Sequence, residues 1–207
     1  MDEYFEKRSP VIIELGFRES GLKQLKAFID LLWETNEELN LISRKMTYQE
    51  LIDNHVIDCL LPLSKFPKNI KRVADFGTGG GLPGIIYAIH FSEINFNLFE
   101  KSVLKQAFLK RCKTITKNIT VEGDIPPKLQ DVNLVMARGF KPIDVILDMS
   151  RTFYQGGGKY FLLKARREKI DEELVETQKK FKDVQFSVEA LKSPVLEVER
   201  HLVLINP

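Results

Sequence analysis

The chain has 207 residues, of which 43% are hydrophobic, so it can bury a full core and intrinsic disorder is not expected. The formal net charge is only +2, so any surface for nucleic acid must be a local patch. The 2 cysteines, Cys59 and Cys112, lack metal-ligand spacing and indicate free thiols in a reducing cytoplasm, and no membrane span or signal peptide is predicted.

The first part of the chain has the hydrophobic spacing of helices. Apolar side chains recur at helical intervals between Leu22 and Leu39, and Trp33 widens that stripe. We interpret the stripe as core packing. A polar stretch that includes Asn36 and Asn40 is then expected to end the helix.

A second helix is predicted to begin at Thr47, which can form a capping box with Glu50. On this helix His55 and Asp58 lie three residues apart and therefore share one face. That face could meet a ligand, or the two side chains could simply hydrogen-bond to each other. A short polar linker follows. The predicted division of the chain is an N-terminal helical segment packed on a core domain, residues 1–69 and 70–207.

A glycine-rich stretch near the start of the second part predicts a strand, a turn and a helix. The apolar run Val73–Phe76 indicates a buried strand, and the glycines after it break that strand. Pro83 suits the start of a helix because its φ is fixed and it lacks an N–H. Asp75 lies near the carboxyl end of the strand, where open α/β sheets bind ligands. Because glycines let backbone N–H groups approach a ligand closely, the stretch predicts a binding loop.

Two classes of ligand fit the spacing of this loop. The pattern Gly-x-Gly-x-x-Gly that ends at Gly84 matches the dinucleotide fingerprint, with Glu100 as a ribose-binding acid. The pattern Asp75-x-Gly77-x-Gly79 is instead typical of loops that bind S-adenosylmethionine (SAM). A carboxylate beside the loop favours SAM, a cationic sulfonium with a free amino group, and would repel a pyrophosphate. Asp75 therefore favours SAM.

Strands and helices alternate from the glycine loop up to a fifth predicted strand, residues 159–164. Such alternation implies a parallel sheet with right-handed crossovers. The last two predicted strands, residues 184–191 and 201–205, have no helix between them and indicate an antiparallel hairpin at the edge of the sheet. We therefore predict an α/β fold of the SAM-dependent methyltransferase (Rossmann-like) class. Its sheet is seven-stranded and mostly parallel, with a terminal antiparallel hairpin and preceding N-terminal helices.

Six motifs together resemble one family. They are Trp33-x-x-Asn36-x-x-x-Asn40-Leu41, His55-Val-Ile-Asp58-Cys-Leu60, Asp75-Phe-Gly-Thr-Gly-Gly-Gly-Leu-Pro-Gly84, Ala137-Arg138-Gly139-Phe140, Leu163-Lys164 and Glu199-Arg200-His201-Leu202-Val203. Over nearly its whole length the chain resembles the bacterial RsmG family of 16S ribosomal RNA guanine-N(7) methyltransferases, also known as glucose-inhibited division protein B. It departs from the family in Ala137 and Gly139, which replace Ser and Ala, and in a shorter segment Gly123–Gln130.

The resemblance implies SAM-dependent methylation of nitrogen 7 of a guanine in 16S ribosomal RNA. We expect a cytoplasmic monomer that acts on 16S ribosomal RNA or the small ribosomal subunit, with no metal and no membrane contact. The implied cofactor-binding residues are Asp75, Gly77, Thr78, Gly79, Leu82, Glu100, Asp124, Ile125 and Arg138. The candidate RNA-binding residues are Arg44, Lys45, His55, Lys164, Arg166 and Arg167.

The resemblance also gives the cofactor-binding residues their roles. The loop residues are expected to wrap the methionine and ribose end of SAM; they are Gly77, Thr78, Gly79 and Leu82. Asp75 is expected near the amino group of SAM and Glu100 on the ribose hydroxyls. Asp124 and Ile125 are expected beside the adenine, and Arg138 at the mouth between cofactor and substrate. The basic residues are candidates for phosphate contacts, and a solvated surface role remains equally open for each of them.

No catalytic acid or base is assigned. Nitrogen 7 of guanine carries a free lone pair at neutral pH, so its methylation requires orientation rather than proton transfer. The sequence accordingly has no Ser/His/Asp array and no ligand cluster around its 3 histidines. Other hypotheses are a methyltransferase of another RNA, a protein or a small molecule, a nicotinamide-dependent oxidoreductase, and an RNA-binding factor with a SAM fold but no transferase activity.

Overall fold

The computed structural model describes residues 1–206 and is built on a seven-stranded sheet. Its strands are β1 (Arg72–Phe76), β2 (Asn95–Phe99), β3 (Ile119–Glu122), β4 (Leu134–Arg138), β5 (Lys159–Lys164), β6 (Phe186–Leu191) and β7 (Arg200–Ile205). The spatial order is β3-β2-β1-β4-β5-β7-β6. The first five strands pair in parallel, whereas β7 pairs antiparallel with both β5 and β6. The predicted sheet with its terminal antiparallel hairpin is therefore confirmed.

Helices precede the sheet and connect its strands. They are α1 (Asp2–Glu14), α2 (Leu22–Leu39), α3 (Tyr48–Leu51), α4 (Asp58–Leu60), α5 (Gly84–His90), α6 (Val103–Arg111), α7 (Ile143–Met149), α8 (Arg151–Gln155) and α9 (Arg167–Lys180). A π-helical turn, Ile52–Ile57, joins α3 to α4. This turn and α8 were not predicted from the sequence.

Local side-chain contacts set the ends of the N-terminal helices. Asn40 ends α2 in the left-handed conformation, with φ of 50°, and the Asn36 side chain accepts a hydrogen bond from the Ile42 backbone N–H at 2.8 Å. Thr47 and Glu50 form the predicted capping box at the start of α3. The polar residues of the first family motif thus direct the chain from α2 into α3.

Two hydrophobic cores lie on opposite faces of the sheet, because alternate side chains of each strand point to opposite faces. Val73 packs in the first core, together with the apolar sides of α2 and α5, and Ala74 packs in the second, against α7 and α9. The N-terminal helices therefore share a core with the sheet, and we retain the division at residue 69 as a proposal. Cys59 and Cys112 are free and buried.

The carboxyl ends of the parallel strands meet at one edge of the sheet. Phe76 of β1 is in register with Phe99 of β2 and Ala137 of β4, and Arg138 of β4 with Leu163 of β5. The chain order reverses between β1 and β4, and ligands of open α/β sheets bind at such a point. No helix within residues 1–206 is long and apolar enough to cross a membrane.

Candidate active site

The glycine loop leaves β1 at the point where the strand order reverses. Gly77 and Gly79 adopt positive φ values of 65° and 57°. The backbone N–H groups of Gly77 and Thr78 donate to the Phe99 carbonyl at 3.0 and 3.2 Å, which fastens the loop to the end of β2. A Cβ added to Gly79 would meet only the Gly77 carbonyl oxygen, at 3.9 Å. The loop is therefore open to a ligand on the side of Gly79.

Asp75 is completely buried behind this loop. Its Oδ2 accepts a hydrogen bond from the Gly84 backbone N–H at 3.0 Å, and a Cβ on Gly84 would lie only 2.5 Å from that oxygen. Asp75 thus anchors the start of α5. Its Oδ1 and the Thr78 Oγ1 are buried and neither makes a well-formed hydrogen bond among the described residues, although the Thr78 hydroxyl lies close enough to lower the pKa of the Asp75 carboxyl somewhat. Such orphaned oxygens fit a ligand that brings N–H or O–H groups, as the amino group of SAM does.

The buried Asp75 makes stability depend on pH. Burial raises the pKa of its carboxyl group from 3.8 to about 7. A raised pKa in the folded state favours the protonated form, so the contribution of Asp75 is fully present below about pH 4 and is lost as pH rises to about 7. We expect the free energy of unfolding of the wild type to fall relative to Asp75→Asn across this window. Urea denaturation of both proteins at several pH values measures the difference, and parallel curves would contradict the prediction.

Glu100 faces the same loop from the end of β2. Its Oε2 accepts from the Gly79 N–H at 3.1 Å and its Oε1 from the Ser102 N–H at 2.8 Å. These two bonds hold a carboxylate at the open side of Gly79, where the sequence predicts a ribose. Asp124 is exposed and pairs with Lys101, the residue after Glu100, at 3.2 Å.

The two remaining predicted cofactor residues near the loop are more enclosed. Leu82 is buried in the first core, so it supports the glycine loop from inside. Ile125 is half-buried and packs against the second core. The structure thus gathers the predicted loop residues and Glu100 at one place, and Asp124 contacts Lys101, the residue after Glu100.

A cavity of about 670 Å³ opens next to the loop, at the carboxyl ends of β4 and β5. It is lined by residues from the N-terminal helices and from β4, β5, α9 and β7, among them His55, Asp58, Arg138, Phe140, Lys164, Arg166, Glu173 and Arg200. The glycine loop and this cavity together form the candidate cleft, and they meet at Phe140, which lines the cavity and lies against Gly77.

Arg138 forms part of the cavity wall and is tied to the π-helical turn. Its Nε donates to Asp58 Oδ2 at 3.0 Å, and its Nη2 donates to the Asn54 carbonyl at 3.1 Å and to His55 Nδ1 at 3.0 Å. Arg200 of β7 donates to the other oxygen of Asp58. Asp58 therefore joins β4, β7 and the N-terminal helices at the cavity, and contact between Arg138 and the cofactor stays a prediction.

His55 accepts the hydrogen bond from Arg138 because it is neutral. Burial first, and then the charge of Arg138, lower the pKa of His55 to about 4. The imidazole therefore carries no charge at neutral pH and its Nδ1 is free of a proton. The sequence left open whether the shared face of His55 and Asp58 meets a ligand or whether the two side chains hydrogen-bond to each other. In the structure both side chains contact Arg138 and line the cavity.

The candidate RNA-binding cations differ in exposure and in pairing. Lys164 is largely enclosed, and its Nζ donates to Glu173 Oε2 at 2.7 Å and to the Lys141 carbonyl at 2.9 Å. Arg167 is exposed and pairs with Asp171 at 2.8 Å. The remaining candidates are exposed and form no ion pair within residues 1–206; they are Arg44, Lys45 and Arg166. Arg166 lines the cavity, and the first two follow the end of α2.

Three residues of the cavity were not assigned to the site from the sequence. Phe140 and Arg200 belong to family motifs, but no role in the site was predicted for either of them from the sequence. Glu173 belongs to a polar predicted helix, and nothing in the sequence marked it as a site residue. Asp58 was noted only as a neighbour of His55 on a helix. The one signal available was that these motifs recur in the family resemblance, which does not say which side chains meet.

Sequence comparisons place the chain among ribosomal RNA methyltransferases. The profile of the family described as GidB, rRNA small subunit methyltransferase G, matches residues 21–203. Ribosomal RNA small subunit methyltransferase G 1 of Bdellovibrio bacteriovorus is 65% identical over 205 residues, which cover 99% of this chain and 100% of that protein. Ribosomal RNA small subunit methyltransferase G of Borreliella burgdorferi is 30% identical over 194 residues, covering 91% and 92% of the two chains.

Solved structures with the same fold are more distant in sequence. A putative O-methyltransferase from Klebsiella pneumoniae superposes with a TM-score of 0.56 at 11% identity, covering 86% of this chain and 88% of the other. Aeropyrum pernix fibrillarin with natively bound S-adenosyl-L-methionine superposes with a TM-score of 0.53 at 14% identity, covering 72% and 73%. These likenesses establish the fold and nothing finer.

Proposed function

The chain belongs to the GidB family of ribosomal RNA small subunit methyltransferases G, and we infer that it is a SAM-dependent enzyme that methylates nitrogen 7 of a guanine in 16S ribosomal RNA. One observation supports this activity best. An open glycine loop with a fixed carboxylate at its side adjoins a cavity whose lining includes Lys141 and Arg166, two exposed cations without an ion pair within residues 1–206. A cofactor compartment next to an acceptor compartment is what methyl transfer between two bound molecules requires.

We propose that the glycine loop holds SAM through residues on its open side. Gly77, Thr78 and Gly79 enclose the methionine and ribose end, Leu82 supports the loop, and the orphaned Oδ1 of Asp75 accepts from the amino group. Glu100 accepts from the ribose hydroxyls, with Asp124 and Ile125 beside the adenine. SAM, when bound there, supplies the electrophilic methyl group.

The chain's contribution to the reaction is placement of the acceptor. Nitrogen 7 attacks with its own lone pair, so no residue has to remove a proton. Neutral His55, with its Nδ1 occupied by Arg138, agrees with a site that performs no acid–base step. Holding the two reactants in line can supply roughly 7–11 kcal/mol of the barrier reduction. Arg138 and Asp58 keep the wall of the acceptor cavity in place for this purpose.

Exposed cations on both sides of the cleft are proposed to contact the RNA backbone. Arg166 stands at the rim of the cavity, and Arg44 and Lys45 stand beyond α2, whose Leu32 packs near Gly80 of the loop. Phosphate contacts of this kind position RNA without reading its sequence. We propose that the enzyme acts as a monomer in the cytoplasm, on 16S ribosomal RNA or the small ribosomal subunit. An RNA substrate suits the open, cation-rimmed cavity better than a small molecule does.

Methyl transfer to small ribosomal subunits tests the function directly. The protein is incubated with labelled SAM and small subunits purified from cells that lack the enzyme. We expect label in 16S ribosomal RNA as 7-methylguanosine at one position. Subunits from cells that contain the enzyme serve as control, because their acceptor is already methylated. Binding of the unmethylated subunits without transfer would contradict the enzyme assignment.

Glu100→Ala is expected to weaken SAM binding by about 1.5–3 kcal/mol, the range for hydrogen bonds to a charged group. The carboxylate is proposed to accept hydrogen bonds from the ribose hydroxyls, and it also accepts one from the Gly79 N–H. Its loss therefore removes a contact with SAM and a bond that holds the glycine loop. Calorimetric titration with SAM measures the change. Glu100→Gln keeps one acceptor oxygen and should lose less. If only RNA binding weakens in Glu100→Ala, the carboxylate serves another purpose.

A further inference from the structure

Phe140 stands between the glycine loop and the cavity. It follows Gly139, whose φ of 59° turns the chain directly after β4. The ring packs on the glycine loop so closely that a Cβ on Gly77 would lie 2.1 Å from its Cδ2. The ring also meets Phe76 edge-on, with centroids 6.4 Å apart, and lines the cavity. The boundary between cofactor loop and cavity is therefore an aromatic surface.

The chain on the C-terminal side of Phe140 is fixed at two points by one ion pair. Lys164 donates to the Lys141 carbonyl at 2.9 Å, and Glu173 accepts from the Ile143 N–H at 3.0 Å. Lys164 and Glu173 bind each other at 2.7 Å and are only 14% and 10% exposed. The segment that carries Phe140 is held to β5 and α9, as a surface that orients a ligand requires.

We propose that Phe140 is the stacking surface for the acceptor purine, an inference that rests on the proposed function. A purine presents two flat faces, whereas the lone pair of nitrogen 7 lies in the ring plane and points out of its edge. Stacking on an aromatic side chain therefore fixes the plane of the base and leaves nitrogen 7 free to face the methyl group. Phe140 touches the cofactor loop and the cavity at once, so a base that stacks on it in the cavity lies close to the cofactor loop. Phe140 acts here as a positioning residue.

The same geometry explains why position 77 is a glycine. Any side chain at Gly77 would displace the Phe140 ring from the loop. The close contact sets the distance between the stacked base and the bound cofactor. From the sequence, Lys164 was a candidate for a phosphate contact. In the structure its ion pair with Glu173 holds the chain on the C-terminal side of Phe140 and so helps to keep this distance fixed.

The test compares Phe140→Leu with Phe140→Tyr and with a matched remote variant. Phe153 is also half-buried and packs on a glycine, since a Cβ on Gly158 would lie 2.4 Å from its ring. It lies before β5, at the opposite edge of the sheet from the cavity. Phe153→Leu therefore removes the same ring from a similar contact outside the cleft.

The readout is single-turnover methyl transfer to unmethylated small subunits at saturating SAM, together with calorimetric SAM affinity and melting temperature. We expect Phe140→Leu to lose about tenfold or more in rate with SAM affinity within about threefold of wild type. Phe140→Tyr should restore most of the rate because it keeps the aromatic face. Phe153→Leu should match the wild-type rate whatever its melting temperature.

Four outcomes would overturn the proposal. The first is a wild-type rate in Phe140→Leu at saturating SAM. The second is a loss of SAM affinity in Phe140→Leu well beyond threefold, which would place the ring in the cofactor site, and the third is a Phe140→Tyr variant as slow as Phe140→Leu. The fourth is a rate loss in Phe153→Leu equal to that of Phe140→Leu, which would make the effect one of stability. If the wild type itself binds the subunits and transfers no methyl group, the proposed function fails and this inference fails with it; the first four outcomes leave the function intact.

Discussion

Gly79→Val is expected to abolish SAM binding while the protein stays folded. Gly79 is the loop position where an added Cβ would meet nothing closer than the Gly77 carbonyl oxygen at 3.9 Å, so a branched side chain fits without clashing. It would project into the space that we assign to the ligand. The left-handed backbone at φ 57° adds a cost of about 1–2 kcal/mol to folding. Calorimetry with SAM and a melting curve measure the two effects separately.

Gly157→Val is the matched control for this variant. Gly157 also has a positive φ, 77°, and an added Cβ there would meet nothing within 4 Å. It lies between α8 and β5, at the amino end of β5 and so away from the glycine loop. It should lower the melting temperature about as much as Gly79→Val and leave SAM affinity unchanged. Wild-type affinity in Gly79→Val would remove the glycine loop from the cofactor site.

The glycine loop could be predicted from the sequence because its determinants are local. A strand, three glycines at positive φ and a helix start follow one another within a few residues, and each leaves its own mark on the pattern. The carboxylate of Glu100 could be placed as well, since the ends of neighbouring parallel strands share an edge. The sequence did not indicate that Asp75 is turned inward to the Gly84 N–H, because burial of one oxygen depends on packing.

The cavity wall could not be predicted, because its contacts join distant parts of the chain. Arg138 and Asp58 are 80 residues apart, and Arg200 and Asp58 are 142 apart. A helical pattern gives the face on which His55 and Asp58 lie, but the π-helical turn between α3 and α4 changes where that face points. The charge of Lys164 likewise does not tell whether this lysine forms an enclosed ion pair or contacts a phosphate group.

Helix α8 is a secondary-structure element that the sequence pattern did not predict. None of its residues, Arg151–Gln155, is buried, so no apolar spacing marks it in the sequence. The helices that were predicted, such as α2, each place several apolar residues in a core. Prediction succeeds where the sequence repeats a buried face and fails where tertiary contacts alone decide the conformation.

Asp58→Asn is expected to lower the free energy of unfolding by about 3–5 kcal/mol, the cost of removing one partner from a buried ion pair. The carboxylate lies between two guanidinium groups, Arg138 and Arg200, and the three side chains are 9%, 17% and 26% exposed. An amide of the same shape offers a single acceptor oxygen and no charge. It therefore leaves two enclosed cations without the negative charge that both contact.

The loss should extend to activity, because the same two arginines line the acceptor cavity. Urea denaturation gives the stability, and methyl transfer at a temperature where the variant remains folded gives the rate, which we expect to fall at least about tenfold. Asp148→Asn is the control, since Asp148 pairs with Arg151 on the surface with both side chains about half exposed and should cost no more than about 1 kcal/mol. If Asp58→Asn is as stable and as active as Asp148→Asn, the two arginines hold their positions without the carboxylate. The cavity wall would then depend on the bonds of Arg138 to Asn54 and His55 instead.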